Sequence, residues 1–385
     1  MTPLVVFGMV LCAAGAPTTG AADGCIGEYQ HCKGTGECTL FQCDGPGPHC
    51  SAGQYRCPIS NTCVDGAAAL SGCPGVKGTH LDHTLPTEDR VTSLIAAANL
   101  TEMIGQLTNA APAIEHLGIP AYNWLSDDEH GVRGSDTTYF PDGPGLGASF
   151  DKDLLHSVGT VVGTEARAQH NWQTHTTGMR DNAFNGDGIT VYGPNMNLVK
   201  DPRWGRAQEV YSEDPRLSSA LTVGYVTGIQ GASADGTQND PAYMQAGACC
   251  KHYVAYDLEG NGPLPSRVFF DSQVDTRSFW EHYMPVRKSP LATKNLLEDT
   301  DGCGSPLLLL TCALLTTSLF QRPVFHDCII TAKAMHAMCS YNAMNGVPTC
   351  ADPNLMNGIL REQWGWDGFV VSGASKLKKC HCVTV

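Results

Sequence analysis

The chain has 385 residues, enough for one large domain or two. Charged side chains are sparse at 16%, and the 38 acidic residues outnumber the 24 Lys and Arg to give a net charge of −14. That balance argues against nucleic acid and anionic membrane partners, which call for a basic face, and fits a protein acting on a neutral ligand.

The N-terminus has the pattern of a secretory signal over residues 1–24. A compact apolar run from Leu4 to Ala16 is followed by small residues up to Ala22, although no Lys or Arg precedes Lys33. The run is too short to span a bilayer. Eight of the 18 cysteines then lie between Cys25 and Cys73 among Gly, Pro and polar residues. This is the density of a disulfide framework in a small extracellular module, placed at 25–75. A zinc module is the competing reading; the irregular spacings and the lack of a Cys-x-x-Cys pair weigh against it. No cysteine occurs from Pro74 to Ala248, so a domain boundary is expected near residues 74–86.

From Pro86 the pattern becomes regular. Val91, Leu94, Ile95 and Ala98, then Leu100, Met103, Ile104 and Leu107, have helical spacing, with Thr87 and Thr101 as candidate N-caps. Asn99-Leu100-Thr101 is the one glycosylation sequon. The apolar stretch Leu117–Pro120 leads into NWLSDDEHGVRG at 123–134, a strand end emptying into a polar loop. Asp151 to Ala168 reads as a helix, and Gly188 to Tyr192 as a β-branched strand. That strand feeds YGPNMNLVKDPRWGR and YSEDP, where Asp201-Pro202 opens a loop carrying Arg203 and Arg206 and Asp214-Pro215 starts a helix to Ile229. Ala246 to Cys250 reads as a buried strand ending in Lys251-His252-Tyr253.

Later come Arg267 in a turn, an apolar helix face at Trp280, Tyr283 and Met284, the strand and loop of MCSYNAMNGVPTC, a helix over 354–363, and the buried strand Phe369–Ser372. Short strands alternating with helices of ten to fifteen residues predict βα units around a parallel sheet, as a barrel or a doubly wound sheet. In a barrel, the polar residues after each strand share one face, and Asp127, Arg206, Lys251 and His252 fall at such ends. Gly143-Pro144-Gly145-Leu146-Gly147 lacks the Lys and Ser/Thr of a phosphate loop and the strand context of a dinucleotide fold. No metal-ligand spacing stands out and no cofactor is expected.

Taken together, NWLSDDEHGVRG, YGPNMNLVKDPRWGR with YSEDP, ACCKHYVAYDLE, MCSYNAMNGVPTC and GFVVS resemble the catalytic barrel of family 3 glycoside hydrolases, in the β-xylosidase and arabinofuranosidase branch. The resemblance runs from about Leu85 to Ser372. It implies a (β/α)8 barrel over 85–373 and a terminal sugar of an oligosaccharide or polysaccharide as ligand. By motif position it implies that Asp127 accepts hydrogen bonds from ring hydroxyls. Arg133 and Arg206 would be its cationic neighbours, Lys251 and His252 the adjacent donor pair, and Arg267 and Tyr341 would complete the pocket. A neutral polyol offers only hydroxyls, so holding it requires several converging, charge-assisted hydrogen bonds.

Two departures qualify this. The family retains anomeric configuration with an Asp nucleophile and a separate acid/base. The nucleophile follows the GFVVS strand, where this chain has Gly373. Asp367 cannot replace it, because six residues of strand at about 3.3 Å each put it roughly 20 Å away at the other end. The acid/base in this family comes from beyond the barrel, so the barrel is expected to be incomplete at its C-terminal end, with an aberrant tail over 374–385.

The second departure is the block 286–323, with a 16-residue apolar run from Ser305 to Phe320. Joining Met284-Pro285 to Val324-Phe325 restores the family pattern, and Pro-Val recurs at both edges of the block. We read it as translated intron. The family's SEALHG loop is also altered, to SDDEHG. The expected function is that of a secreted, extracellular β-glycosidase acting on xylosyl, arabinosyl or glucosyl ends, this chain lacking nucleophile and acid/base. The alternative is a catalytically inactive sugar-binding protein.

Overall fold

In a computed structural model, the structure describes residues 76–82, 84–133, 137–176, 189–240, 243–260, 266–284 and 324–372, together with four short strands before residue 76. The signal segment, the body of the Cys-rich module, the 286–323 block, Gly373 and the 374–385 tail lie outside the described residues. The chain divides into two units, 1–124 with 168–188, and 125–167 with 189–385.

In the first unit, Gln30–His31 pairs antiparallel with Cys38–Thr39, and Gln54–Arg56 with Cys63–Asp65. Helix α1 spans Thr87–Ala97 and α2 spans Leu100–Gly105. Neither threonine caps them. Pro86 holds the cap position of α1, whereas Thr87 is its first helical residue. For α2 the cap is Asn99, whose side chain accepts the Glu102 N–H at 3.0 Å while Glu102 accepts the Asn99 N–H at 2.9 Å. This reciprocal box satisfies two end donors at once, which Thr101, already inside the helix, cannot do. The strand expected before the SDDEHG loop is Tyr122–Asn123, and it pairs antiparallel with Ala110–Ala111 rather than joining the parallel sheet.

Helix α3 spans Lys152–Thr176, longer than the predicted Asp151–Ala168, with its residues 152–167 in the second unit. Asp151 starts it, its Oδ1 accepting the N–H groups of Asp153 and Leu154 at 2.9 and 3.1 Å. Leu155, Val158, Val162 and Ala166 form its buried stripe. Strand β1 (Thr190–Val191) follows, then helix α4 (Pro215–Ile229), capped by Asp214 on the Leu217 N–H at 2.8 Å.

The α3 and α4 backbones meet through glycine. A Cβ on Gly159 would lie 2.2 Å from the Tyr225 carbonyl oxygen, and one on Gly228 would lie 2.3 Å from that of His156. Strand β2 (Gly247–Tyr253), strand β3 (His336–Cys339), helix α5 (Asn354–Gln363, wound with i→i+5 bonds) and strand β4 (Phe369–Ser372) complete the unit.

The sheet is wholly parallel, in the spatial order β4-β3-β2-β1, so chain order is kept across it without reversal. β2 is buried along its full length. β4, expected to be buried, is half-buried, because it has a neighbour on one side only among the described residues. Registered partners share a face of a sheet. Cys250, Ala337 and Val370 therefore form one row, and Lys251, Met338 and Val371 a row on the opposite face. The first row faces the helices, since Cys250 is disulfide-bonded to Cys328 in the segment Asp327–Thr331. Lys251 thus points to the other side. A second disulfide, Cys339–Cys350, closes the loop that carries Tyr341. Among the described residues no helix is long and apolar enough to cross a membrane.

Candidate functional site

The loop after Tyr122–Asn123 is held from inside by Asp128. Its carboxyl is buried, accepts the Ser126 hydroxyl, and takes the Arg133 N–H on Oδ1 at 3.0 Å. Burial pushes Asp128 up to about 6, against those two hydrogen bonds. From α4, the Tyr225 hydroxyl donates to the carbonyls of Asp128 and Glu129 at 3.0 and 3.1 Å. With the loop pinned at Asp128, its neighbours Asp127 and Glu129 both reach the β2 lysine.

Lys251 is the centre of the arrangement. Its side chain is 2% exposed, and its Nζ lies 3.2 Å from Asp127 Oδ1 and 2.9 Å from Glu129 Oε1. Burial works against the ammonium, but Glu129 and Asp127 together outweigh it and hold Lys251 above its ordinary range. Asp127 remains 46% exposed and so presents the free part of its carboxylate outward.

The tautomer of His252 follows from its partners. Arg206 has only donors, so the His252 Nε2 facing its Nη1 at 3.0 Å is the acceptor. The Nδ1–H then donates to Asn197 Oδ1 at 3.2 Å. Asn197 also accepts the His252 N–H and donates to the His252 carbonyl, each at 3.0 Å. Burial, reinforced by Arg206, Lys251 and Arg267, holds the imidazole neutral, well below its usual range.

The two arginines of the WGR loop separate cleanly. Arg203 is 89% exposed and forms a surface fork on Asp201. Arg206 is 15% exposed and grips Glu209, with its Nε 2.7 Å from Oε1. It also lies 3.5 Å from Glu259. Glu259 accepts the Tyr256 hydroxyl at 2.7 Å and faces Arg267 at 3.4 Å. The Arg267 guanidinium sits 4.7 Å over the Tyr341 ring, and Tyr341 stacks at 6.5 Å from His252.

The structure therefore brings Asp127, Lys251, His252, Arg206, Arg267 and Tyr341 into one connected cluster. Lys251 and His252 belong to the C-terminal end of β2 itself rather than to the loop after it. Arg133 contributes its backbone N–H to Asp128, while its side chain is exposed. Asn99 is exposed at the start of α2.

Sequence reasoning missed Glu129, Glu209, Glu259, Asn197 and Tyr256, which supply the counter-charges and hydrogen bonds. Glu209 had a signal, being three residues beyond Arg206 and so one turn away. Glu129 and Glu209 line one cavity together, and Asn195 donates to Glu209 at 3.1 Å. This cavity of about 250 Å³ is lined also by His130, Asp142, Asn195 and Tyr211, and it does not include Asp127, Lys251 or His252. Among the described residues no cluster of His, Cys, Asp or Glu is arranged to hold a metal ion. The cluster offers a half-exposed carboxylate, an ammonium, guanidinium groups and an aromatic face, which suits the orientation of hydroxyl groups.

The comparisons with known proteins place this α/β chain and its cluster in a family. The Glycosyl hydrolase family 3 N terminal domain profile matches residues 84–266 and 318–384, more than half of the chain. The chain belongs to this family. It is 36% identical over 323 residues to Beta-D-xylosidase 3 of Arabidopsis thaliana, covering 81% of this chain and 35% of that protein. It is 36% identical over 328 residues to Beta-xylosidase/alpha-L-arabinofuranosidase 1 of Medicago sativa subsp. varia, covering 81% and 35%. Among solved structures it is similar to a family 3 exo-β-xylosidase (XlnD) in complex with a xylobiose aziridine activity-based probe. That likeness has a TM-score of 0.57 at 27% identity and covers 79% of this chain and 33% of the other. The chain spans about a third of the length of the curated relatives it matches.

Proposed function

We propose that residues 85–373 form an arc of the family's (β/α)8 barrel whose strand-end cluster binds one terminal β-linked sugar, xylosyl, arabinosyl or glucosyl, of a plant-type oligosaccharide. The observation that carries this reading is the meeting of Asp127 with the buried Lys251 at 3.2 Å, one residue from His252 on the same strand. A ring hydroxyl placed there can donate to Asp127 while accepting from Lys251. The unreversed strand order supports the barrel over a doubly wound sheet, where the order reverses at the ligand crevice.

The family's chemistry is retaining hydrolysis by a nucleophile and an acid/base. Gly373 has no nucleophile to offer. We therefore assign to this chain sugar binding without turnover by the family mechanism. On the same reading the 286–323 block and the 374–385 tail are intron-derived, and the 25–75 module is a disulfide-stabilised accessory to polysaccharide binding.

The test is incubation of the purified 385-residue chain with an aryl β-xyloside, with sequencing of the transcript across the codons for Met284 to Phe325 and past Ser372. No turnover, with a spliced message encoding Asp after Ser372, is the expected result. Robust turnover by the purified chain contradicts the assignment.

A further inference from the structure

We infer that Glu129 is a positioning residue for Lys251: it shares one proton with Glu209, and loss of that proton draws the lysine ammonium away from Asp127 and from any hydroxyl bound between them. The inference goes beyond the sugar-site reading and rests on it only for the ligand consequence.

The geometry sets up the competition. Lys251 Nζ is 2.9 Å from Glu129 and 3.2 Å from Asp127, so one ammonium already serves two carboxyl groups of the same loop. On its other side Glu129 neighbours Glu209, the two carboxyl groups lining one cavity and interacting electrostatically. Two neighbouring buried carboxyl groups resist being ionised together, which favours a proton on the pair. Arg206 and Asn195 decide where it resides. Both donate to Glu209, which favours its ionised form and leaves the proton on Glu129.

The remaining neighbours do not reverse this. Asp127 and Asp128 on the same loop add negative charge nearby, and Tyr225 from α4 spends its hydroxyl on the loop carbonyls. Tyr211, His130 and Asp142 line the adjoining cavity, with His130 3.6 Å from Asp142. Burial, set against Lys251, pushes Glu129 up to about 8, and the side chain is 16% exposed. The cavity beside the pair gives the proton a route to water.

Carboxyl and lysine Cε carbon NMR titrations of the 385-residue chain, without ligand, test the proton directly. The expected result is one Glu carboxyl titrating in the neutral to mildly alkaline range, lost in Glu129→Gln, with a step in the Lys251 Cε shift at the same pH. A Glu129 carboxyl that titrates below pH 5, or a Lys251 signal with no step, overturns the inference. The wild-type lysine signal decides this even if the variant does not fold. Xylobiose calorimetry at pH 6 and pH 9 then reads the consequence. The wild type should lose affinity about fivefold or more, within the usual range of coupling between two sites, and Glu129→Leu should not. Equal pH dependence in both proteins overturns the positioning role. A wild type that binds no xylobiose at either pH refutes the sugar-site reading instead, and the NMR titration still decides the proton.

Discussion

Lys251 Nζ lies 2.9 Å from the Glu129 carboxyl, with the lysine almost wholly withdrawn from solvent. A lysine so placed depends on its acidic partners, because an unpaired ammonium in that position would carry the full cost of lost hydration. Lys251→Met should remove that need along with the charge, whereas Glu129→Leu with Asp127→Leu should strand it. The double variant is expected to lose about 3–5 kcal/mol in denaturant unfolding, and Lys251→Met clearly less.

Stability should fall as pH rises from about 6.5 to about 8; below that range the buried neutral His252 and His336, protonated only in the unfolded chain, oppose the two carboxyl groups. Asp128, at about 6, and Glu129, at about 8, lie above their ordinary 3.8 and 4.5. In that window the folded chain keeps protons that the unfolded chain has released, so raising pH favours unfolding. Glu209, held at about 2 despite its burial by Arg206, acts oppositely, and its contribution is lost as pH falls below about 4.5. Thermal unfolding across pH 3–9 should show a maximum in the mildly acidic range. Asp128→Asn and Glu129→Gln should flatten the decline above it.

Asn197 holds His252 through three hydrogen bonds. Asn197→Ala leaves a buried N–H, a ring N–H and a carbonyl unpaired. It should cost about 1–3 kcal/mol for each group that water cannot reach. Nitrogen NMR of the His252 ring should show loss of the single Nδ1–H form.

The α3–α4 contact should not tolerate a side chain at Gly159. Any Cβ there meets the Tyr225 backbone, which cannot rotate away. Gly159→Val should cost more than the ~1–3 kcal/mol of ordinary overpacking. A change below 1 kcal/mol in urea unfolding would contradict the close approach.

The two disulfides should differ in weight. Cys250–Cys328 closes a separation of 78 residues and Cys339–Cys350 one of 11. Chain-entropy scaling gives about 4–5 kcal/mol for the first and ~3 kcal/mol for the second. Paired Cys→Ser variants should rank in that order by melting temperature.

Much of the parallel unit was legible in the sequence because its elements carry strong local signals. Asp214-Pro215 marked the start of α4, and the apolar runs at 247–253 and 369–372 marked strands. The cap of α2 is hidden in the sequence because Asn99 also opens a glycosylation sequon, although Glu102 stands three residues on. Arg203 and Arg206 look alike in sequence, and only the fold sends one to solvent and the other to Glu209. Glu129 and Glu259 were invisible for a related reason. A carboxylate's role depends on which cation the fold brings to it, and the strand register that delivers Lys251 is a long-range fact.

The central claim is that Asp127 and Lys251 together grip a sugar hydroxyl. Isothermal titration of xylobiose into the 385-residue chain and into Asp127→Asn, at pH 6, tests it most directly. The account predicts measurable binding by the first and a loss of about tenfold or more in the second, as expected when a charge-assisted acceptor worth about 1.5–3 kcal/mol is removed. Equal affinity in both proteins, or none in the folded wild type, would contradict it.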